Sequence, residues 1–197
     1  MNPLVIHTPA ARAVFRATVY TWAGAEALLL LRNRAGRSAR ASRARDPSLP
    51  VVGVCLAVGV AVPFALARDD VAVIGGGWLP VVAGVALMIC GAAFRLWAMF
   101  TLGRRFTFRV EIQQDHRIVT SGPYRYLRHP SYAGLLIGLL GYGVALDSWL
   151  SILVAVLAPL VGLLVRIRVE EARLNAALGD EYRRYTARTR RLVPGVW

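Results

Sequence analysis

The chain has 197 residues, 56% of them hydrophobic, with a mean hydropathy of +0.49, which excludes an ordinary soluble domain and points to an integral membrane protein. Its 24 basic residues are all arginine, and against 11 acidic ones they leave a net charge of +13. Those arginines fall in blocks beside apolar runs and not on a surface interleaved with aromatics, so the charge speaks for membrane orientation and against a nucleic-acid partner.

The first apolar run covers residues 14–31 and carries Arg16 and Glu26. It reads as a span with no small-residue cleavage site after it, and Glu26 is expected to pair with a nearby arginine or to face a polar cavity. Residues 32–48 hold six arginines among Ala, Ser and Gly and read as a solvated loop beside anionic lipid head groups. A second span follows at 49–66, with Pro63 near its end, where a kink costs least. Arg68-Asp69-Asp70 and Gly75-Gly76-Gly77 then make a short loop that is not basic. The third span, 78–100, contains Arg95, which should turn inward to a cavity or a partner. Cys55 and Cys90 lie inside apolar runs and read as core thiols, not as a disulfide or metal pair.

From 102 to 128 no window is apolar enough to cross a bilayer, and residues 105–112 alternate as a short extended piece would. The densest stretch is 116–134, where polar, aromatic and turn residues crowd together. Gly122-Pro123 forces a turn, and His129-Pro130 suits a helix start, because proline is tolerated at the first helical position. The amides of that first turn would face the 124–128 loop and favour an anionic ligand group there. The fourth span, 130–146, holds Gly134, Gly138 and Gly141, spaced so that another helix can approach closely. Asp147-Ser148 makes a tight turn that can cap a fifth span at 148–165, so these two helices form an antiparallel hairpin. The fifth helix continues into water through Arg166, Glu170 and Arg173 until Gly179 stops it. A short helix with Tyr182 and Tyr185 and a basic tail follow.

The expected fold is therefore an all-α integral membrane protein of about five transmembrane helices with a C-terminal cytoplasmic ligand-binding region, divided into residues 1–100 and 101–197. Twenty of the 24 arginines lie in 32–48, 104–128 and 166–191, whereas 67–77 and 147–148 together hold one. An outside amino terminus puts all three basic regions on the cytoplasmic face.

Arg166, Glu170 and Arg173 share one helical face, and the hairpin brings them level with the His129 region. Arg166 suits a carboxylate held bidentately, Glu170 a hydroxyl or ammonium, and Tyr124, Tyr126 and Tyr132 an aromatic or cationic group. Intrahelical ion pairs on a wetted surface would explain the same charges. The sequence shows no G-x-G-x-x-G after a strand, no Ser/His/Asp grouping, no P-loop and no Cys or His cluster of metal spacing, so no metal is expected.

The ordered blocks His116-Arg-Ile-Val119, Ser121-Gly-Pro-Tyr124, Arg128-His-Pro-Ser-Tyr-Ala-Gly134, Glu170-Glu171 and Gly179-Asp-Glu-Tyr182 resemble the isoprenylcysteine carboxyl methyltransferase family. The resemblance covers roughly residues 100–197 and extends more distantly to membrane phospholipid N-methyltransferases. It implies S-adenosylmethionine held by His116, Arg117, Ile118, Val119, Tyr124, His129, Pro130, Ser131, Tyr132 and Glu170, with S-adenosylhomocysteine as product. Arg166 would face the acceptor carboxylate as the catalytic residue. It further implies a lipidic or prenylated acceptor drawn from the membrane, with 101–197 as methyltransferase core. A monomer of the plasma or inner membrane is expected. Arg117 and Ile118 depart from the family's commonest residues. The alternatives are N-methylation of a lipid amine, a non-catalytic membrane scaffold, and a reductase on a related membrane fold.

Overall fold

The computed structural model describes residues 3–35, 46–103 and 118–193, and among them are helices and turns with no strand beyond two isolated bridges. Helices dominate because a backbone in lipid must satisfy its own hydrogen bonds. A short hook, α1 (Leu4–His7), leads into α2 (Pro9–Ala35), followed by α3 (Ser48–Arg68) and α4 (Trp78–Leu102). A 3-10 turn at Gly122–Arg125 precedes α5 (Pro130–Ala145), α6 (Trp149–Leu178) and α7 (Asp180–Thr186). The expected extended piece at 105–112 lies outside the described residues.

Three described helices, α3, α4 and α6, are long and apolar enough to cross a membrane, and α5 is apolar but only 16 residues long. At 27 residues α2 has the length without the apolarity, being broken by Arg12, Arg16 and Glu26. Val54 and Val58 of α3 and Leu153, Leu157 and Val161 of α6 are exposed, as are Trp78 and Trp149 at one end of the bundle and Trp97 towards the other. An outward apolar surface with tryptophans near its edges is what lipid contact requires, and the chain is an integral membrane protein. Cys90 sits on this exposed surface, contrary to its expected place in the core, while Cys55 is half-buried against Gly162.

Helix α4 packs most extensively on α5, and α3 on α6. Gly134, Gly138 and Gly141 of α5 meet α4 of the same chain. A Cβ at Gly91 would stand 2.4 Å from the Gly138 nitrogen and 2.6 Å from the Gly134 oxygen, and one at Gly84 would stand 2.5 Å from the Gly141 oxygen. The two backbones touch, because nothing larger than a hydrogen separates them. On the other side Pro159 of α6 seats against Gly59 of α3, while Tyr142 and Ser151 donate to the carbonyls of Val60 and Pro63, each at 2.9 Å. Ser148 caps α6 by accepting from the Ser151 N–H at 3.2 Å and itself donates to the Val71 carbonyl at 2.7 Å. The α5–α6 turn is thereby pinned to the α3–α4 loop.

Helix α6 runs unbroken past its apolar half to Leu178, where Gly179 takes φ +52° and the chain turns into α7. The start of α3, the end of α4, the start of α5 and the polar half of α6 come together at one end of the bundle.

Gly91→Val should force α4 and α5 apart and lower stability by about 1–3 kcal/mol, read as a fall in the thermal midpoint in detergent. Gly53→Ala, where an added Cβ meets nothing within 4 Å, should leave the midpoint unchanged or raise it, since alanine is the better helix former.

Candidate functional site

The site is assembled from the loop before α5, the first turn of α5, the polar half of α6 and the start of α3. Gly122 adopts φ +55°, which a side chain would disfavour, and the 3-10 turn that follows buries Tyr124 to 6% exposure. The tail is strapped along this loop. Arg128 N–H donates to the Arg190 carbonyl at 2.7 Å, His129 N–H to the Arg191 carbonyl at 3.1 Å, and Arg190 N–H to the Tyr126 carbonyl at 3.0 Å. Tyr185 of α7 donates its hydroxyl to the Tyr124 carbonyl at 2.9 Å. Within α5 the Tyr132 and Ala133 amides both donate to the His129 carbonyl at 3.1 Å. Those two amides of the first turn therefore do not offer the anion site expected of them.

At the centre is the Tyr132 hydroxyl. It donates to Glu170 Oε2 at 2.9 Å and accepts from Arg166 Nε at 2.9 Å. The His129 and Tyr132 rings stack with centroids 5.5 Å apart and planes 5° from parallel, and His129 Nδ1 lies 3.8 Å from Glu170 Oε2. Arg166 is 5% exposed. Its Nη1 donates to Asp46 Oδ2 at 3.0 Å and to Ser48 Oγ at 3.1 Å, and Ser48 Oγ donates to Asp46 Oδ1 at 2.6 Å.

A second cluster surrounds Glu171. His129 Nε2 reaches Oε1 at 3.3 Å and Arg191 Nε donates to Oε2 at 3.0 Å. Arg128 Nε lies 2.9 Å from Oε1 without the alignment of a hydrogen bond. Burial alone would raise the Glu171 pKa, but the hydrogen bonds from His129 and Arg191 and the Arg128 charge outweigh it and hold it at about 2. Tyr124 is pushed upward, first by burial and then by the nearby Glu170 charge, so it stays a neutral phenol.

Deeper in the bundle Glu26 of α2 and Arg95 of α4 meet in a two-pronged pair, with Arg95 Nη2 donating to Oε2 at 3.0 Å and Nε to Oε1. Each of these charges was expected to meet a partner or a polar cavity, and they find each other. Arg95 Nη1 also donates to the Ser131 carbonyl at 2.9 Å, which anchors the first turn of α5.

Of the residues singled out from sequence, Tyr124, His129, Tyr132, Arg166 and Glu170 converge. Pro130 is fully buried behind them, and Ser131 is buried with its carbonyl engaged. Ile118 and Val119 are half-buried. Ile118 lines a cavity of about 780 Å³ together with Thr120, Arg125, Arg184 and Tyr185, and Tyr124, His129, Tyr132 and Glu170 are not among its lining residues. His116 and Arg117 lie outside the described residues. Asp46 and Ser48 were missed, although Asp46 is the lone acidic residue among six arginines in 32–48, a signal that was available.

The geometry defines a class: a membrane-embedded helical protein whose polar site sits where its last long hairpin leaves the apolar layer. The model of the isoprenylcysteine carboxyl methyltransferase (ICMT) family matches residues 84–176, a stretch that carries all the converging site residues except Asp46 and Ser48. The chain is similar to a probable protein-S-isoprenylcysteine O-methyltransferase of Oryza sativa subsp. indica, at 33% identity over 60% of this chain and 63% of the relative. It is also similar to protein-S-isoprenylcysteine O-methyltransferases of Arabidopsis thaliana, at 36% over 57% of this chain and 58% of the relative, and of Rattus norvegicus, at 36% over 60% and 42%. These matches span less than two thirds of the relatives' length. The solved structure of the eukaryotic intramembrane Ras methyltransferase ICMT superposes with a TM-score of 0.67 over 98% of this chain and 70% of that one, at 24% identity, which establishes a common fold.

Because Glu171 titrates lower in the folded protein than in an unfolded chain, its contribution is present above about pH 4.5 and is lost as pH falls towards 2. Glu171→Gln should lower the thermal midpoint at pH 7 and flatten its decline between pH 5 and pH 3 (about those limits), measured side by side with the unsubstituted protein.

Proposed function

We propose that this protein transfers a methyl group from S-adenosylmethionine to the carboxylate of a lipidic, isoprenoid-bearing acceptor, giving a methyl ester. The observation that carries this reading is the Tyr132 hydroxyl, which bonds at once to Glu170, assigned to the methyl donor, and to Arg166, assigned to the acceptor carboxylate. The names of the relatives support it, since those proteins are described as protein-S-isoprenylcysteine O-methyltransferases.

The donor set fits S-adenosylmethionine. Glu170 offers a carboxylate to an ammonium or hydroxyl, and the stacked His129 and Tyr132 rings offer a flat surface beside it. When bound, the cofactor supplies an electrophilic methyl on a sulfonium. The chain's task is then positioning. A carboxylic acid is ionised at neutral pH, so no general base is needed, and holding the reactants in line can account for roughly 7 kcal/mol or more of the barrier. Arg166 is suited to this because its planar fork is braced by Tyr132 on one edge and by Asp46 and Ser48 on another. Tyr132 keeps the two halves of the site at a constant separation, and His129 stands beside Glu170, with Nδ1 3.8 Å from its Oε2.

On this reading residues 101–197 form the methyltransferase core, the chain crosses the membrane five times with its amino terminus outside, and the site faces the cytoplasm. The acceptor's tail enters sideways between helices. One observation favours a second reading, N-methylation of a lipid amine: Asp46 accepts directly from Arg166, and Glu170 accepts from Tyr132, which is bonded to Arg166 in turn, so two carboxylates stand around one guanidinium there.

Arg166→Ala and Glu170→Ala should each lower kcat/KM by roughly 100-fold, measured with labelled methyl donor and a farnesylated cysteine bearing a free carboxylate. Undiminished transfer in both removes the assignment. Mild alkali separates the two readings, because esters release the label as methanol and methylamines retain it. Asp46→Asn keeps an acceptor for Arg166 but removes a negative charge, so KM for a carboxylate acceptor should fall several-fold, whereas KM for an amine acceptor would rise.

A further inference from the structure

Four arginines lie outside the three basic regions: Arg12, Arg16, Arg68 and Arg95. Arg95 is neutralised by Glu26. The other three line a single cavity of about 300 Å³, whose apolar walls include Val5, Phe15 and Phe64. Its location is set by α3. That helix begins at Ser48, which bonds to Arg166, and ends at Arg68, so at 1.5 Å per residue the cavity lies roughly 30 Å away at the opposite end of the bundle.

The cavity is built from three elements. The hook α1 folds back over α2, held by the Arg12 guanidinium donating to the Ile6 carbonyl and by His7 Nε2 meeting Asp70 Oδ1 at 3.1 Å. Among the described residues no carboxylate lines it. Three guanidiniums sharing one small space repel one another, and this end of the protein is otherwise nearly free of arginine. Their convergence calls for an anion, and the planar fork of arginine matches phosphate oxygens. The apolar walls argue for an amphiphile over an inorganic ion. From Phe64 in the cavity wall the exposed face of α3 continues to Val60, offering a track for an acyl chain.

We propose that this cavity binds the phosphate head group of an anionic glycerophospholipid from the leaflet opposite Arg166, and that the bound lipid fastens the amino-terminal hook and α2 to α3. The inference needs only that the protein is embedded in a bilayer and is independent of the methyl-transfer reading. Its structural consequence reaches the site through α2, which carries Trp22 against Gly138 and Glu26 against Arg95.

The test is thermal unfolding of the full chain in a neutral detergent, titrated with short-chain phosphatidylglycerol, short-chain phosphatidylcholine or inorganic phosphate. Phosphatidylglycerol should raise the midpoint saturably, as a ligand that binds only the folded state must. Phosphatidylcholine and inorganic phosphate at the same concentrations should give little or no rise. Arg68→Gln, an exposed substitution at a helix end, should move half-saturation upward by roughly tenfold, and Arg12→Gln/Arg16→Gln/Arg68→Gln should abolish the response. An equal response to phosphatidylcholine, a full response to inorganic phosphate, or an Arg68→Gln protein that titrates like the unsubstituted one would each overturn the proposal.

Discussion

A guanidinium buried in an apolar bundle persists only where oxygen meets it, and the pairing of such charges determines how the helices of this protein are set against one another. Three buried groupings recur at the same end. Arg95 of α4 is met by Glu26 of α2, Arg166 of α6 by Asp46, Ser48 and Tyr132, and Glu171 of α6 by Arg191, His129 and Arg128. Each ties together elements that are remote in sequence: α2 to α4, α6 to both α3 and α5, and α6 to the loop and the tail. Desolvation offsets most of the attraction within a buried pair, yet removing one partner costs about 3–5 kcal/mol. Such pairs therefore select one arrangement of helices more than they add to its stability. The glycine seam brings α4 and α5 into backbone contact, and the charges decide the rotation at which the contact is made.

What could be read in the sequence was what a single helix records. The glycines of α5 marked a contact face, Ser148 a cap, Gly179 a stop, and Arg166 and Glu170 a shared face, because period and punctuation are local. Arg95 and Glu26 were each recognisable as charges needing company, but not as a pair, since 69 residues separate them and no local rule links them. Asp46 was hidden more thoroughly. It stands in a stretch that reads as a solvated basic loop, and its bond to Arg166 spans 120 residues. The first turn of α5 misled for another reason: proline at its start removes one donor, and the His129 carbonyl takes two more.

The tail shows how the site depends on groups outside its polar centre. Backbone bonds from residues 190 and 191 hold the loop that carries Tyr124 and His129, and the Arg191 side chain is held in turn by Glu171. Glu171 stands one position after Glu170, on the side of α6 that faces the loop and tail. A single helical step thus separates the carboxylate that bonds to Tyr132 from the carboxylate that fastens the cover. Because α6 is one unbroken helix from Trp149 to Leu178, any tilt or rotation that moved Glu170 would move Glu171 with it. Opening the loop and rearranging the polar centre are then one motion of one rigid element. This coupling is why the polar half of α6 must continue without a break beyond the apolar layer.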